Sequence, residues 1–305
     1  MNRRQLLLAT PVVAAAPWRV SAQAPRKLQV VASFSILADI VREVAGDAAD
    51  VSSLVGANAD AHVYEPRPSD LQRLARADLV VVNGLGFEGW IERLVRTSGY
   101  RGPVVVASDG ITPRRLGRAL DPHAWQSLVH AQRYVDNVRA ALERAAPAQA
   151  AQVRARAAAY TARLVELDAE CRAAFDTVPR DRRRIISSHD AFGYLGDAYG
   201  LTLLAPRGWS TDADPSAAEF AALIRQVRQQ QALALFVENI SDRRLVERIA
   251  QETGARVGGT LYSDALSLPG TEADSYLRLV RHNVQTISGA LRAALTAAAS
   301  ATPLR

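Results

Sequence analysis

The feature that most limits the fold is a strand–helix alternation that occurs twice along the chain. Short apolar runs lie at Leu28–Ala32, Val51–Val55, Leu79–Val82 and Val104–Ala107. A second set follows at Ile185–Ser187, Leu201–Ala205, Leu233–Val237 and Ala255–Leu261. Runs this short and nearly continuous suit strands of a parallel sheet covered on both faces. Between them apolar residues return at helical spacing, as in Ile36-Leu37, Ile40-Val41 and Val44, or Leu71 and Leu74-Ala75, or Trp90-Ile91 and Leu94-Val95. Phe220, Leu223-Ile224 and Val227 repeat the pattern in the second half, as do Leu245-Val246 and Ile249. Such alternation predicts an α/β protein of two lobes.

The two sets are joined by the most helix-prone part of the sequence. From Gln149 to Asp176 there is no Gly or Pro, and Ala, Arg, Glu and Leu dominate. Pro147 suits a first helical turn, where its missing N–H costs nothing, and Pro179 marks the stop. About 30 helical residues would span about 45 Å. Val153, Ala157, Tyr160, Leu164 and Leu167 form one apolar stripe. The heptads are too few and too Ala-rich for a dimerising coiled coil, so a strut packed across both lobes is expected, in a monomer.

The N-terminus reads as an export signal over residues 1–24. Arg3-Arg4 precede a mostly apolar stretch from Leu6 to Ala16, and Ser21-Ala22-Gln23-Ala24 supply small residues for cleavage. The paired arginines point to the twin-arginine route, with an ordinary Sec signal as the alternative. The expected destination is the periplasm, as a soluble protein, because the apolar stretch is too short to span a bilayer. No cysteine lies near the cleavage region to carry a lipid anchor.

Composition excludes more than it identifies. The formal charge is +6, but the signal holds Arg3, Arg4 and Arg19 and no acid, leaving 34 basic against 31 acidic residues. That balance gives no support for a nucleic-acid partner. The single Cys171 sits in the helical pattern between Leu167 and Phe175, which predicts a packed thiol.

Chemistry concentrates at four residues that follow strand-like runs or the turns beyond them: His62, His123, His189 and Asp264. Three imidazoles and one carboxylate form a complete ligand set for a divalent transition metal. In open α/β sheets ligands gather beyond the carboxyl ends of the strands, and each lobe contributes two of the four residues. One ion could therefore cross-link the lobes. A dication held by neutral imidazoles and one carboxylate carries net charge +1, easier to bury than +2. The bland readings place His62 in an ordinary loop, His123 as a helix cap, His189 as a hydrogen-bonded core histidine and Asp264 as an N-cap. His130 reads as a helix-surface residue and His282 as a structural partner. Trp125 and Tyr262, adjacent to ligands, are expected to shield the site, although core packing would explain them equally well.

Four motifs occur in order along nearly the whole chain beyond the signal. They are His62-x-Tyr64-Glu65-Pro66-x-Pro68-Ser69-Asp70, Asp121-Pro122-His123-x-Trp125, Ser188-His189-Asp190-Ala191-Phe192-x-Tyr194 and Leu261-Tyr262-Ser263-Asp264-Ala265-Leu266. With Val82-Asn83-Gly84-Leu85-Gly86-Phe87-Glu88, Phe236-Val237-Glu238-Asn239 and Tyr276 through Asn283, the sequence resembles the bacterial periplasmic solute-binding proteins that deliver zinc or manganese to ABC importers. The resemblance implies two lobes, each a four-stranded, mainly parallel sheet flanked by helices, joined by one long rigid helix. It places metal in the cleft, on His62, His123, His189 and Asp264. The implied organisation is an N-terminal lobe over 25–126, a helical region over 127–178 and a C-terminal lobe over 179–305. The implied partner is a membrane permease, and the transported solute a divalent metal ion.

Zinc (Zn2+) is favoured and manganese (Mn2+) next. Relatives dedicated to manganese often carry Glu where this chain has His189. Zinc-specific relatives often carry a His- and acid-rich loop between the first two ligands, whereas Ser98 to Asp121 is basic and has no His. A metallochaperone or an adhesin-type metal-binding protein is the alternative. A zinc hydrolase is disfavoured, because a fourth protein ligand closes the site to water and no His-Glu-x-x-His occurs.

Overall fold

The computed structural model describes residues 26–204, 216–230 and 234–300. The expected export signal, with Arg3 and Arg4, lies outside them, as do Ala205 and Leu233 at the ends of two strand-like runs. The first sheet consists of β1 (Leu28–Phe34), β2 (Ala49–Val55), β3 (Leu79–Val82) and β4 (Val104–Val106). Its order is β2-β1-β3-β4 and every pairing is parallel. Helices α1 (Ser35–Ala45), α2 (Pro68–Ala75) and α3 (Ile91–Thr97) alternate with these strands. A small antiparallel hairpin, β5 (Arg115–Leu116) with β6 (Ala119–Leu120), comes next and had no counterpart in the sequence pattern.

Two long helices follow, α4 (Leu128–Ala145) and α5 (Ala150–Asp176). The second sheet contains β7 (Arg184–Ile186), β8 (Thr202–Leu203), β9 (Ala234–Glu238) and β10 (Val257–Leu261), ordered β10-β9-β7-β8 and again all parallel. Taken from its β8 edge, the strand order is that of the first sheet. Helices α6 (Gly193–Tyr199), α7 (Ala217–Gln230) and α8 (Arg243–Thr253) flank it, and α9 (Tyr276–Ser300) closes the chain's described part. All residues of β3 and of β9 are buried, as strands covered on both faces must be.

Helix α5 is the expected strut. Its 27 residues rise about 40 Å, and it packs on α4 beside it, on α1 of the first lobe and on α9 and α6 of the second. The predicted stripe Val153, Ala157, Tyr160, Leu164 and Leu167 is buried and continues through Cys171 and Phe175. Cys171 is thus a packed thiol, and burial pushes its pKa up to about 12. Pro147 opens a separate 3₁₀ turn over Pro147–Gln149, so α5 proper starts one step later than the proline alone implied. Arg156 on α5 donates from Nε to the carbonyl of Glu43 in the last turn of α1, 2.9 Å away. Gly46, with φ of 52°, ends α1 there, and a Cβ on it would stand 2.6 Å from that Nε. The glycine therefore serves both the turn and the approach of the strut.

The main core runs from the first sheet through α4 and α5 to α9 and Tyr262. A second, smaller core around Ile186, Leu204, Ile224, Val227, Leu235, Val237, Val246 and Ile249 fills the far side of the second lobe. Ile185 and its neighbour Ile186 point into different cores, as opposite faces of one strand should. If α5 is held by its stripe, Leu164→Ala, at a fully buried site, destabilises the metal-free protein by about 2–5 kcal/mol, while Val165→Ala, at a 53% exposed one, changes it by less than about 0.5 kcal/mol. Denaturant titration of both variants checks this; equal effects would show that α5 is not packed along that stripe.

Candidate metal centre

Each candidate ligand stands on a loop whose shape its neighbours dictate. His62 lies between β2 and α2. The Asp60 carboxylate accepts its backbone N–H (2.8 Å), and Trp90 Nε1 donates to the carbonyl of Ala61 (2.8 Å). Farther along, the fully buried Asp70 accepts the Tyr64 hydroxyl and the Arg67 N–H, both at 2.7 Å, and also pairs with Arg73. Burial favours the neutral acid, but these donors hold the Asp70 carboxyl below its usual range. The Tyr-Glu-Pro-x-Pro-Ser-Asp motif is thus a folded loop ending at the N-cap Arg67, whose backbone N–H the Asp70 carboxylate accepts, with Pro68 at the helix start.

His123 sits before a 3₁₀ turn over Ala124–Gln126, and Ser127 rather than His123 caps α4. The Asp121 Oδ1 atom lies 2.8 Å from His123 Nδ1 and accepts its backbone N–H at 3.0 Å. His189 follows β7. Its Nδ1 lies 2.7 Å from Glu238 Oε2, while Glu238 Oε1 accepts the backbone N–H of His189 and the hydroxyl of Ser188, each at 2.9 Å. In both histidines a carboxylate faces Nδ1, which turns Nε2 toward the other candidate ligands. Neither carboxylate was identified from sequence as a partner of an imidazole. Asp121 two residues before His123 was a local signal; Glu238, 49 residues from His189, had none.

Asp264 follows β10, and no helix begins at Ala265, so it is not an N-cap. The loop that bears it is fastened by the first lobe. Trp125 Nε1 and Gln126 Nε2 both donate to the carbonyl of Ser263, at 2.9 and 2.8 Å. Leu266 donates its N–H to Ser35 Oγ (3.0 Å) and accepts the N–H of Asn58 (2.9 Å).

The four side chains converge, with one prospective ligand atom of each within 4.8 Å of the others. Asp264 Oδ2 lies 3.2 Å from Nε2 of His62 and 3.2 Å from Nε2 of His189, Oδ1 lies 3.7 Å from Nε2 of His123, and the Nε2 atoms of His62 and His123 are 3.3 Å apart. His123, His189 and Asp264 are buried, whereas the His62 side chain keeps 20% exposure and forms the mouth of the site. Phe87 packs edge-on against His62 (4.7 Å between centroids) and Trp125 against His123 (5.3 Å), so Trp125 does shield the centre. Tyr262 does not: its ring meets His282 edge-to-face and its hydroxyl donates to Glu272. His282 Nε2 lies 3.0 Å from the carbonyl of Thr260, a structural role as expected. His130 is half-buried against Tyr194.

The carboxylates and imidazoles of the centre shift one another's pKa values. Burial would lower the His189 pKa, but Glu238 and Asp264 beside it outweigh burial and raise it well above the usual imidazole value. Burial would likewise raise the Asp264 pKa, and His189 and His123 hold it well below the carboxylate range instead. His62, opposed by burial, is raised through Asp264. Three imidazole nitrogens around a carboxylate, with outer carboxylates on two of the rings, are the ligand chemistry of a transition dication.

The chain matches the family of zinc-uptake complex component A, periplasmic, over residues 30–290. It is 32% identical over 264 residues to the manganese-binding lipoprotein MntA of Halalkalibacterium halodurans, covering 86% of this chain and 88% of that one. It is also 32% identical over 270 residues to the iron-binding protein YfeA of Yersinia pestis, covering 86% of each. Among solved structures, the periplasmic zinc-binding protein TroA of Treponema pallidum superposes with a TM-score of 0.83 at 30% identity, covering 87% of this chain and 99% of that one. The chain belongs to the periplasmic zinc-uptake component A family, the metal-binding substrate-binding proteins of ABC transporters, which are not enzymes.

Proposed function

We propose that this protein captures one divalent transition-metal ion in the periplasm on His62, His123, His189 and Asp264 and hands it to an ABC import permease, with zinc as the preferred ion. The observation that carries this reading is the convergence of three Nε2 atoms and a buried carboxylate from four separate loops, two on each lobe. An N3O set suits tetrahedral zinc. Manganese is the second ion: both oxygens of Asp264 face imidazoles, and a bidentate carboxylate would add the oxygen that a harder ion favours. Export through the Arg3-Arg4 signal would deliver the chain to the compartment where a permease can be met.

Purified protein should bind one zinc ion, and zinc should displace manganese in a competition titration. Asp264→Ala should weaken zinc binding by more than roughly 100-fold, beyond the effect typical of changes outside the ligand set. Manganese outcompeting zinc would overturn the metal preference, and undiminished zinc affinity in Asp264→Ala would overturn the ligand assignment.

The pH dependence has a definite sign. Because His189 holds its proton above the usual imidazole range when metal-free, zinc must displace that proton. Affinity should therefore rise with pH through and beyond the ordinary imidazole range, and fall as the solution is acidified. Calorimetric titrations at neutral pH in buffers of different ionisation enthalpy should report net proton release on zinc binding. Binding without proton release would contradict a protonated metal-free cluster.

A further inference from the structure

Metal capture leaves the basic segment before His123 unexplained, and within it Arg114 is placed with unusual care. Its Nη1 lies 3.0 Å from Asp121 Oδ2 and its Nε 2.8 Å from Asp197 Oδ2 on α6. Its backbone N–H donates to the Tyr194 hydroxyl (2.9 Å), and its guanidinium lies over the Tyr194 ring, 5.7 Å from the centroid. The same hydroxyl donates to the carbonyl of Asp121, 2.9 Å away. Asp121 has no exposure, and its other oxygen is the one that orients His123. One guanidinium therefore joins the carboxylate behind a first-lobe ligand to the helix that begins four residues after the second-lobe ligand His189.

Gly193 independently marks the importance of this contact. A Cβ at Gly193 would stand 1.2 Å from Arg114 Nη1 and 2.9 Å from Asp121 Oδ2. Its backbone is not in the left-handed region, so the glycine is needed for space rather than for conformation. The Arg114 charge also offsets that of the buried Asp121, beside which the half-buried Asp190 adds a further carboxylate.

Resting on the ligand assignment above, we propose that Arg114 is a positioning residue for metal retention. It latches α6 to the Asp121–His123 pair, so that His123 and His189 keep their mutual geometry and the ion leaves slowly. Arginine suits this because its planar fork serves Asp121 and Asp197 at once, which a lysine ammonium does not.

The test is zinc release into excess chelator, measured by stopped flow on the full-length exported protein and its variants. Arg114→Ala should release zinc roughly tenfold faster or more, as loss of groups behind a ligand does, and should lower the melting temperature of the zinc-loaded form more than that of the metal-free form. Arg114→Lys should not restore slow release. Gly193→Ala should speed release in the wild-type background and add less in the Arg114→Ala background, because its severe clash is with Arg114 and only the 2.9 Å approach to Asp121 Oδ2 remains there. The proposal is overturned by wild-type release rates in both Arg114→Ala and Gly193→Ala, by full rescue with lysine, or by equal thermal losses with and without zinc. Wild-type protein that binds no zinc would instead remove the ligand assignment itself.

Discussion

Asp264 carries a negative charge with no solvent exposure, and among the described residues no backbone N–H or hydroxyl donates to its carboxylate. Desolvating a carboxylate without compensation is among the costliest things a fold can do. Here the compensation comes from Nε2 atoms of three histidines that reach it from both sheets. Glu238 and Asp264 raise the His189 pKa well above the usual imidazole value, so the imidazole charge is favoured beside this anion. The outer carboxylates Asp121 and Glu238, the loop geometry of His62 and the anchoring of Ser263 can all be understood as ways of holding donors around this one anion.

That arrangement also limits how the lobes move. The Asp264 loop belongs to the second lobe by sequence, yet Trp125, Gln126, Ser35 and Asn58 fasten it to the first. Helix α5 ties the same lobes along their length, with Arg156 seated on α1 and Glu170 paired with Arg281 of α9. The exposed Arg281–Glu170 pair adds little energy; the buried stripe of α5 carries the connection. These ties suit a strut better than an open hinge.

Much of this was legible in the sequence, for identifiable reasons. Strands buried on both faces must be apolar throughout, so Leu79–Val82 and its counterparts stand out, and the Gly- and Pro-free run from Gln149 can hardly be anything except a helix. The scarcity of histidine exposed the candidate ligands, because three of the five lie just past strand ends or the turns that follow them. The hairpin of Arg115–Leu116 with Ala119–Leu120 was not legible, since two-residue strands have no period to detect. Glu238 was hidden because a glutamate ending a buried strand acquires its role only when the sheet brings it to His189. Tyr262 misled for a related reason: adjacency in sequence to Asp264 did not decide which way its ring would turn.

The central claim is that one ion sits among these four side chains. X-ray absorption on the zinc-loaded protein tests it most directly. The account predicts a shell of nitrogen and oxygen at about 2.0–2.1 Å, with the outer scattering of three imidazoles, reduced to two in His189→Ala. A shell with fewer than three imidazoles in the wild-type protein, or one that His189→Ala leaves unchanged, would contradict it.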